Sequence, residues 1–227
     1  MRRWVWVAVV ALCGAALAGK AAPKTVFECS FARGKWDAGQ WTLAKSPRWD
    51  YFGQWEQKDD CIQNATPAGA APKDLLGKRA AETYTSMVLK EKLKGNVTLS
   101  STMEFTDRMA PLIVLAPELG ADAQGRPEYR QHYEIVIYDQ GVNVWRHDYA
   151  DGKPFWRKMA WGKFELKPNQ KYRLVVKLAQ TARGKTLTAM VDGHEVGYLD
   201  DGLPDEFYAG VTGCEGVNRF YDFRVER

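Results

Sequence analysis

Two short segments on either side of residues 139–141 carry side chains that could recognise a polar ligand. Successive side chains of a β-strand point to opposite faces, so alternation divides residues 130–147 into two sets. One set is apolar, and the other is predicted to form a binding face: Arg130, His132, Glu134, Tyr138, Asn143, Trp145 and His147. Aromatic rings stack on sugar rings, and the polar groups bind hydroxyls, which makes this face a candidate saccharide site. The alternative is an ordinary solvated sheet face.

Two further tryptophans follow in residues 151–161. Trp156 and Trp161 are predicted to lie in a loop near Trp145, and loops on a rigid scaffold often carry ligand contacts. In the alternative, this loop covers an open sheet end and its tryptophans are buried. The same two alternatives apply to the aromatic residues between positions 36 and 55.

A pair of glutamates is the candidate for bond cleavage. Hydrolysis of a glycosidic bond needs two carboxyl groups, about 5–5.5 Å apart for retention or about 6.5–9.5 Å apart for inversion. Glu134 and Glu104 both point to polar strand faces, so they could act together if their strands share a sheet. The alternative is that both are surface acids. The sequence identifies no Ser/His/Asp or Cys/His arrangement and no glycine-rich phosphate loop.

The elements that must position these residues are predicted to be β-strands. From Val26 onward, short runs alternate apolar and polar positions, and only residues 73–81 are compatible with a helix. Residues 139–141 and 192–193 are predicted hairpin turns, because Gly and Asp accept positive φ angles. About fourteen short strands exceed one open sheet. We therefore expect an all-β fold of two antiparallel sheets packed face to face.

The order of several segments resembles the concanavalin A-like lectin/glucanase superfamily over nearly the whole chain after residue 18. Within it, the sequence is similar to laminin G-like modules and to the domain often labelled 3-keto-disaccharide hydrolase. The resemblance lies in residues 53–56, 60–62, 132–137, 142–145, 172–176, 191–193 and 220–225. It implies a jelly-roll sandwich that binds an oligo- or polysaccharide, with a sugar-cleaving hydrolase or lyase and a structural module without ligand as alternatives.

Two departures from these families bear on the function. Family 16 glucanases carry a strand motif of Glu, an aliphatic residue, Asp, one or two further residues and Glu. The nearest segment here, residues 134–139, lacks the middle acid, which counts against a family 16 mechanism. The disaccharide-hydrolase-like family usually has a Gly-x-Ile-x-Leu-Gln strand, and residues 209–214 depart from it.

The resemblance also implies a calcium ion between the first and last strands. Asp222 matches the acid of the terminal motif, and Glu28 on the first strand could be its partner. Calcium takes six to eight oxygen ligands, so carbonyls and water would complete the shell. The alternatives are a salt bridge of Asp222 at the strand edge and a site in the acidic segment 200–206. The sequence identifies no other cofactor with certainty.

The N-terminus is typical of a secretory signal. Arg2 and Arg3 precede an apolar run, and cleavage is expected after Ala18. The run of about 14 residues is shorter than the roughly 20 needed for a membrane span, so no span is expected after cleavage. Residues 19–227 are predicted to form one β-sandwich domain in a secreted, periplasmic or extracellular protein.

Charge and cysteine content limit the remaining possibilities. Loss of the two arginines lowers the formal net charge from +4 to +2, so electrostatics give no reason to expect nucleic acid as a partner. Cys29, Cys61 and Cys214 remain, and an odd number leaves at least one unpaired within the chain. No two cysteines have ligand-like spacing and the three histidines are scattered, so this pattern predicts no metal site of its own.

Overall fold

The fold is seen in a computed structural model that describes residues 23–150 and 152–227. The predicted signal segment lies outside the described residues. In chain order the strands are β1 (Thr25–Ser30), β2 (Trp41–Leu43), β3 (Trp55–Gln57), β4 (Ile62–Asn64), β5 (Thr85–Leu89), β6 (Leu93–Lys94), β7 (Val97–Phe105), β8 (Met109–Ala116), β9 (Leu119–Ala121), β10 (Pro127–Tyr129), β11 (His132–Tyr138), β12 (Gly141–Ala150), β13 (Lys153–Lys163), β14 (Tyr172–Thr181), β15 (Gly184–Val191), β16 (His194–Leu199), β17 (Glu206–Gly213), β18 (Asn218–Phe220) and β19 (Asp222–Glu226).

Two large antiparallel sheets confirm the predicted sandwich. Sheet A has the strand order β16-β15-β14-β7-β18-β4-β3, and β19 joins it by pairing with β7 and β1. Sheet B has the order β13-β12-β11-β8-β17-β5-β2, with β6 paired to β17. β9 and β10 form a separate hairpin. The first and last strands are neighbours, because β1 pairs with β19.

Alternation along each strand fills the space between the sheets. Leu99, Met103 and Phe105 point inward from sheet A, and Tyr133 and Ile135 point inward from sheet B; all five are fully buried. Burying one large apolar side chain contributes about 1.5–3 kcal/mol, so this shared core is the main force that holds the two sheets together. It also fixes which side chains of β11 and β12 point outward.

Part of the outer face of sheet B is covered as well. Leu112, Val114 and Val136 point away from the main core and pack in a second apolar cluster with Tyr129 of β10. The segment after β2 is bound to β10 through Lys45, whose Nζ lies 3.0 Å from Oε1 of Glu128. The Lys45 amide also donates a hydrogen bond of 3.0 Å to the carbonyl of Pro127. These contacts bring residues 45–49 over the face of sheet B.

The local structure agrees with the predicted turns but differs in two segments. Gly141, Asp192 and Gly193 have positive φ angles of 123°, 50° and 77°, as the predicted hairpin turns require. The segment predicted as a loop before Trp161 is instead the long edge strand β13, paired with β12. The segment compatible with a helix contains only the 3₁₀ turns Pro72–Leu75 and Gly77–Glu82.

Two further features concern membrane-spanning helices and the cysteines. Within residues 23–150 and 152–227, no helix is long and apolar enough to cross a membrane. Cys29, Cys61 and Cys214 are buried, and none of them forms a disulfide with another cysteine of the described residues. Burial, together with the charge of Asp37 near Cys29 and that of Asp60 near Cys61, raises the pKa of both thiols to about 11. Burial also raises the pKa of Cys214 well above its usual range.

Candidate functional site

A groove of about 260 Å³ crosses the outer face of sheet B. Its floor consists of outward-pointing side chains of β8, β11 and β12, and its walls come from residues 48–49, from β13 and from the turn after β17. Its lining includes Arg48, Trp49, Glu134, Asn143, Trp145, His147, Trp156 and Glu215. We call this cavity the groove.

The β11–β12 hairpin positions the floor of the groove. In its antiparallel register His132 lies opposite His147, Glu134 opposite Trp145, and Val136 opposite Asn143. Residues paired in this way project from the same face of a sheet. The inward neighbours Tyr133 and Ile135 are held in the core, so the outward direction of Glu134 follows from the packing of the residues beside it.

A buried cluster of two histidines and one glutamate lies at the base of the groove. His132, Glu134 and His147 are 1%, 7% and 4% exposed. Oε1 of Glu134 is 3.5 Å from Nε2 of His132, and Oε2 is 3.0 Å from Nε2 of His147. The hydroxyl of the buried Tyr84 donates a 3.1 Å hydrogen bond to Oε1. We call these three residues the His–Glu–His cluster.

Aromatic stacking holds the two imidazole rings. Their centroids are 4.5 Å apart and their planes differ by 14°. Tyr129 stacks on His132 with centroids 4.7 Å apart, and Trp156 lies 6.3 Å from His147. The resulting order, Tyr129, His132, His147 and Trp156, is a column of rings that runs from the interior to the exposed edge of sheet B.

The charge states in the cluster follow from burial and from its neighbours. Burial lowers the pKa of His132 to about 4 against the opposing effect of Glu134, so this ring is neutral at neutral pH. Burial alone would raise the pKa of Glu134, but its interactions with His147 and His132 hold the pKa well below the usual range. The cluster therefore combines an ionised carboxylate with a neutral imidazole.

Arg48 forms part of the groove wall by lying between two indole rings. Its Cζ is 4.3 Å from the ring centroid of Trp49 and 4.4 Å from that of Trp156. Such cation–π contacts are attractive and keep the guanidinium over the rings. Nζ of Lys45 donates a 2.8 Å hydrogen bond to the carbonyl of Trp49. The buried Lys45–Glu128 ion pair thus fixes the loop that carries this wall.

Glu215 is a second carboxylate in the groove, and the sequence reasoning missed it. It is partly buried and has a φ angle of 56°, which is unusual for a residue other than glycine. Its amide donates a 3.1 Å hydrogen bond to Oγ1 of Thr83. Burial raises its pKa, and the nearby charge of Glu134 acts in the same direction. The glycines at 213 and 216 signal a turn, but nothing in the sequence connects that turn to β11.

The structure brings most of the predicted binding residues together. Tyr138, Asn143, Trp145, His147 and Trp156 line the groove, and His132 lies beneath it against His147. The indole of Trp156 is 49% exposed, which differs from the alternative in which this segment buries its tryptophans. Trp49 also lines the groove, whereas Trp41 from the same aromatic segment belongs to the core.

Two predicted binding residues lie elsewhere. Nη1 of Arg130 is 2.6 Å from Oε2 of Glu128 and Nη2 donates to the carbonyl of Ala121, which turns the guanidinium towards the β9–β10 hairpin. Trp161 is 58% exposed and borders Val196 of β16 outside the groove. Both positions follow from contacts beyond β11 and β12, which strand alternation does not describe.

The two candidate catalytic glutamates do not face each other. Glu104 lies on β7 of sheet A and Glu134 on β11 of sheet B, and each points away from the shared core. The two carboxylates are therefore on opposite outer faces of the sandwich. Glu104 instead forms an ion pair with Arg219 and accepts a 2.8 Å hydrogen bond from the hydroxyl of Tyr221. The condition that the strands share a sheet is not met.

Glu28 and Asp222 are engaged in contacts at the strand edge. The carboxylate of Asp222 accepts hydrogen bonds of 2.8 Å from the amide and from the hydroxyl of Thr102, and lies 3.8 Å from Arg173. The carboxylate of Glu28 is 64% exposed and lies 4.0 Å from Arg224. These basic and hydroxyl neighbours match the predicted alternative of strand-edge pairing better than a calcium shell.

A larger cavity of about 480 Å³ lies elsewhere, between β1 and the turn after β5. Val26, Phe27 and Leu89 contribute its apolar part, and its charged residues are exposed lysine, glutamate and arginine side chains. Its described lining residues include no tryptophan and no buried titratable group. Volume alone favours this cavity, but the chemistry favours the groove on sheet B.

Comparison with known proteins identifies the fold. Neither a known protein family nor a curated protein sequence matches the chain. Among solved structures, the carbohydrate-binding module CBM66 from Bacillus subtilis has 14% identity and a TM-score of 0.55, with 83% of this chain and 96% of that chain covered. β-Agarase A from Zobellia galactanivorans has 12% identity and a TM-score of 0.58, with 91% and 92% covered.

A lectin and a protein without an assigned function extend the likeness. Peanut lectin has 10% identity and a TM-score of 0.56, with 91% of this chain and 98% of that chain covered. A protein of unknown function with a galectin-like fold from Bacillus subtilis has 12% identity and a TM-score of 0.53, with 90% and 97% covered. At these identities the likeness is one of fold. The chain therefore has the concanavalin A-like β-sandwich that its sequence resembles.

Proposed function

We propose that this protein binds an oligo- or polysaccharide in the groove on sheet B. The observation that carries the proposal is the combination, in one open groove, of indole rings with fixed polar groups. Trp145 and Trp156 offer flat surfaces for stacking on a sugar ring. Arg48, Asn143 and Glu134 lie in the same groove and can bind hydroxyl groups. The described lectin, binding-module and agarase structures support this choice of ligand through their shared fold.

Two neighbouring aromatic residues on β13 provide a matched test. Trp156 lies opposite His147 and faces the groove, whereas Phe155 lies opposite Asp148 and points to the other side of the strand. The two side chains are similarly exposed, at 49% and 47%. A glycan array first selects a ligand, and calorimetry then compares Trp156→Ala with Phe155→Ala. Loss of one stacked ring should weaken binding about tenfold, or about 1.4 kcal/mol, in Trp156→Ala alone.

The outcomes of this test are distinct. Weaker binding in Trp156→Ala with normal binding in Phe155→Ala supports the groove. Equal affinities in both variants and the wild type would place the saccharide elsewhere on the surface. The absence of any glycan that binds the wild-type protein would favour the structural module without ligand.

Sugar cleavage is the second candidate function, and Glu215 is the observation that favours it. Two carboxylates whose environments shift their pKa values in opposite directions are typical of a proton donor beside an ionised group. Glu215 has a raised pKa and Glu134 a lowered one, and both line the groove. A reducing-end assay on the glycans that bind tests this function. Product formation that is lost in Glu215→Gln, with binding retained, would establish cleavage, whereas binding without product would exclude it for those glycans.

We further propose that the protein acts outside the cytosol. Residues 1–18 have the charge and apolar pattern of a secretory signal. The test is expression of the full chain with a C-terminal tag, followed by cell fractionation and intact-mass measurement. An exported product that begins at residue 19 supports the proposal, and a cytosolic product that retains Met1 overturns it.

A further inference from the structure

We infer that His132, Glu134 and His147 form a binding site for a transition-metal ion of the Zn²⁺ type at the base of the groove. One ligand atom from each residue lies within 4.8 Å of the other two. All three side chains are buried, and the β11–β12 register places the two histidines directly opposite each other. The inference does not depend on saccharide binding, because it concerns the cluster beneath the groove.

Unpartnered ring nitrogens are the first argument for an ion. Within the described part of the chain, Nδ1 and Nε2 of His132 and Nε2 of His147 are buried without a hydrogen-bond partner. A buried polar atom left without a partner costs about 1–3 kcal/mol, so natural proteins seldom retain several of them together. A single bound ion, coordinated by one nitrogen of each ring, would give two of these atoms a partner.

The direction of the nitrogen atoms is the second argument. Nε2 of His147 is only 3.0 Å from Oε2 of Glu134, yet the pair does not meet hydrogen-bond geometry, so the ring does not aim its nitrogen at the oxygen. Glu134 therefore does not engage Nε2 of His147, and this nitrogen remains available to an ion. The hydroxyl of Tyr84, which donates to Oε1 of Glu134, would orient the carboxylate as an outer-shell group.

The stacked rings indicate which ligand must move. An ion bound to imidazole lies in the plane of the ring, and two planes only 14° apart do not meet within bonding distance. Tyr129 packs on His132 at 4.7 Å, whereas the next ring beyond His147 is Trp156 at 6.3 Å. His147 also lines the groove. It is therefore the ring that turns when the ion binds, while His132 and Glu134 keep their positions.

The donor atoms select the kind of ion. Two imidazole nitrogens and one carboxylate suit Zn²⁺ and the neighbouring first-row divalent ions, whereas Ca²⁺ takes six to eight oxygen ligands. The protein supplies three ligands, so at least one coordination position remains for water or a ligand oxygen. That position faces the groove, because His147 and Glu134 line it.

Calorimetric titration of the purified, chelator-treated protein with ZnCl₂ under reducing conditions tests the site. The histidines provide a matched set of variants, since the chain contains three of them. His147→Ala removes a proposed ligand, while His194→Ala removes the third ring, which stacks on Phe164 outside the cluster. Glu134→Gln keeps the shape of the side chain, so it preserves a measurable outcome if His147→Ala does not fold. Circular dichroism confirms the fold of each variant.

We expect the wild type and His194→Ala to bind Zn²⁺ with the same affinity and a stoichiometry near one. Changes in groups that only orient the metal ligands lower metal affinity about 10–100-fold, and loss of a ligand itself should lower it further. His147→Ala and Glu134→Gln should therefore bind Zn²⁺ more than about 100-fold more weakly than the wild type. CaCl₂ should give no comparable binding. Absence of Zn²⁺ binding in the wild type, or unchanged binding in a folded His147→Ala or Glu134→Gln variant, would overturn the inference.

Discussion

His132 and His147 lie directly opposite each other in the β11–β12 ladder, and their rings stack with centroids 4.5 Å apart. Fifteen positions separate them in the sequence, but the hairpin turn at Gly141 returns the chain so that one face carries both. The scattered spacing of the histidines argued against a metal site when only the sequence was considered. Strand pairing removes that objection, because antiparallel partners can be far apart along the chain and adjacent in space.

Removal of the Tyr84 hydroxyl tests how firmly Glu134 is held. Tyr84 is buried and donates a hydrogen bond to a carboxylate, and such charge-assisted bonds contribute about 1.5–3 kcal/mol. We expect Tyr84→Phe to lower the free energy of unfolding by about that amount in urea titrations. The hydroxyl of Tyr198 is buried without a partner among the described residues, so Tyr198→Phe is the matched control. It removes no hydrogen bond, and it should raise the free energy of unfolding, by up to about 1–3 kcal/mol, where Tyr84→Phe lowers it. A Tyr84→Phe variant as stable as the wild type would contradict the expectation.

The general architecture could be predicted from the sequence because it depends on local patterns. Alternation of apolar and polar residues assigned the inward side chains of β11, and the glycines at 141 and 193 marked the β11–β12 and β15–β16 turns. The same pattern did not show β13, since Pro154 and the polar residues of residues 151–158 resemble a loop. That segment forms a strand because β12 offers it an unpaired edge, which is a tertiary effect.

The site was less accessible to sequence reasoning. Alternation placed Glu134, Trp145 and His147 on one face, but it could not show that Arg48 and Glu215 close the groove from segments distant in sequence. Nor could it assign Glu104 and Glu134 to different sheets, because strand order is set by long-range packing. Side-chain direction is a local property, whereas a site is formed by pairing between distant strands.

The buried Lys45–Glu128 ion pair should be important for the groove wall. The Lys45 side chain is 4% exposed. When it is removed, Arg130 remains as the close basic partner of Glu128. Breaking one side of a buried pair costs about 3–5 kcal/mol, and we expect Lys45→Met to fall at the lower end of this range because Arg130 remains. Urea unfolding gives the value, and ligand titration shows whether the Trp49 wall is lost with it.

An exposed pair provides the comparison for Lys45→Met. Arg33 and Asp59 lie 3.0 Å apart, with side chains 67% and 90% exposed. Water and salt screen such a contact, so Arg33→Met should change the free energy of unfolding by less than about 0.5 kcal/mol. Equal losses in Arg33→Met and Lys45→Met would show that burial of the Lys45–Glu128 pair does not determine its importance.

Glu215 should give the protein a measurable pH dependence. Its pKa in the folded protein is raised above the usual value of 4.5, so the unfolded chain releases this proton at a lower pH than the folded chain does. The contribution of Glu215 to stability is therefore full below its unfolded pKa and is lost as pH rises through its folded pKa. Glu215→Gln stays neutral, so its stability relative to the wild type should increase as pH rises from about 4 to about 7. A constant difference between the two unfolding free energies would contradict the raised pKa.

The three buried cysteines should be unreactive in the folded protein. The thiolate is the nucleophile, and with pKa values of about 11 for Cys29 and Cys61, only about one thiol in a thousand is ionised at pH 8. Cys214 is also buried, with a pKa well above its usual range. We expect iodoacetamide at about pH 8 to label none of the three on the timescale that labels all of them in urea, with mass spectrometry as the readout. Rapid labelling of Cys214 in the native protein would mean that the end of β17 opens towards solvent and that the groove wall beside Glu215 is less rigid than its contacts indicate.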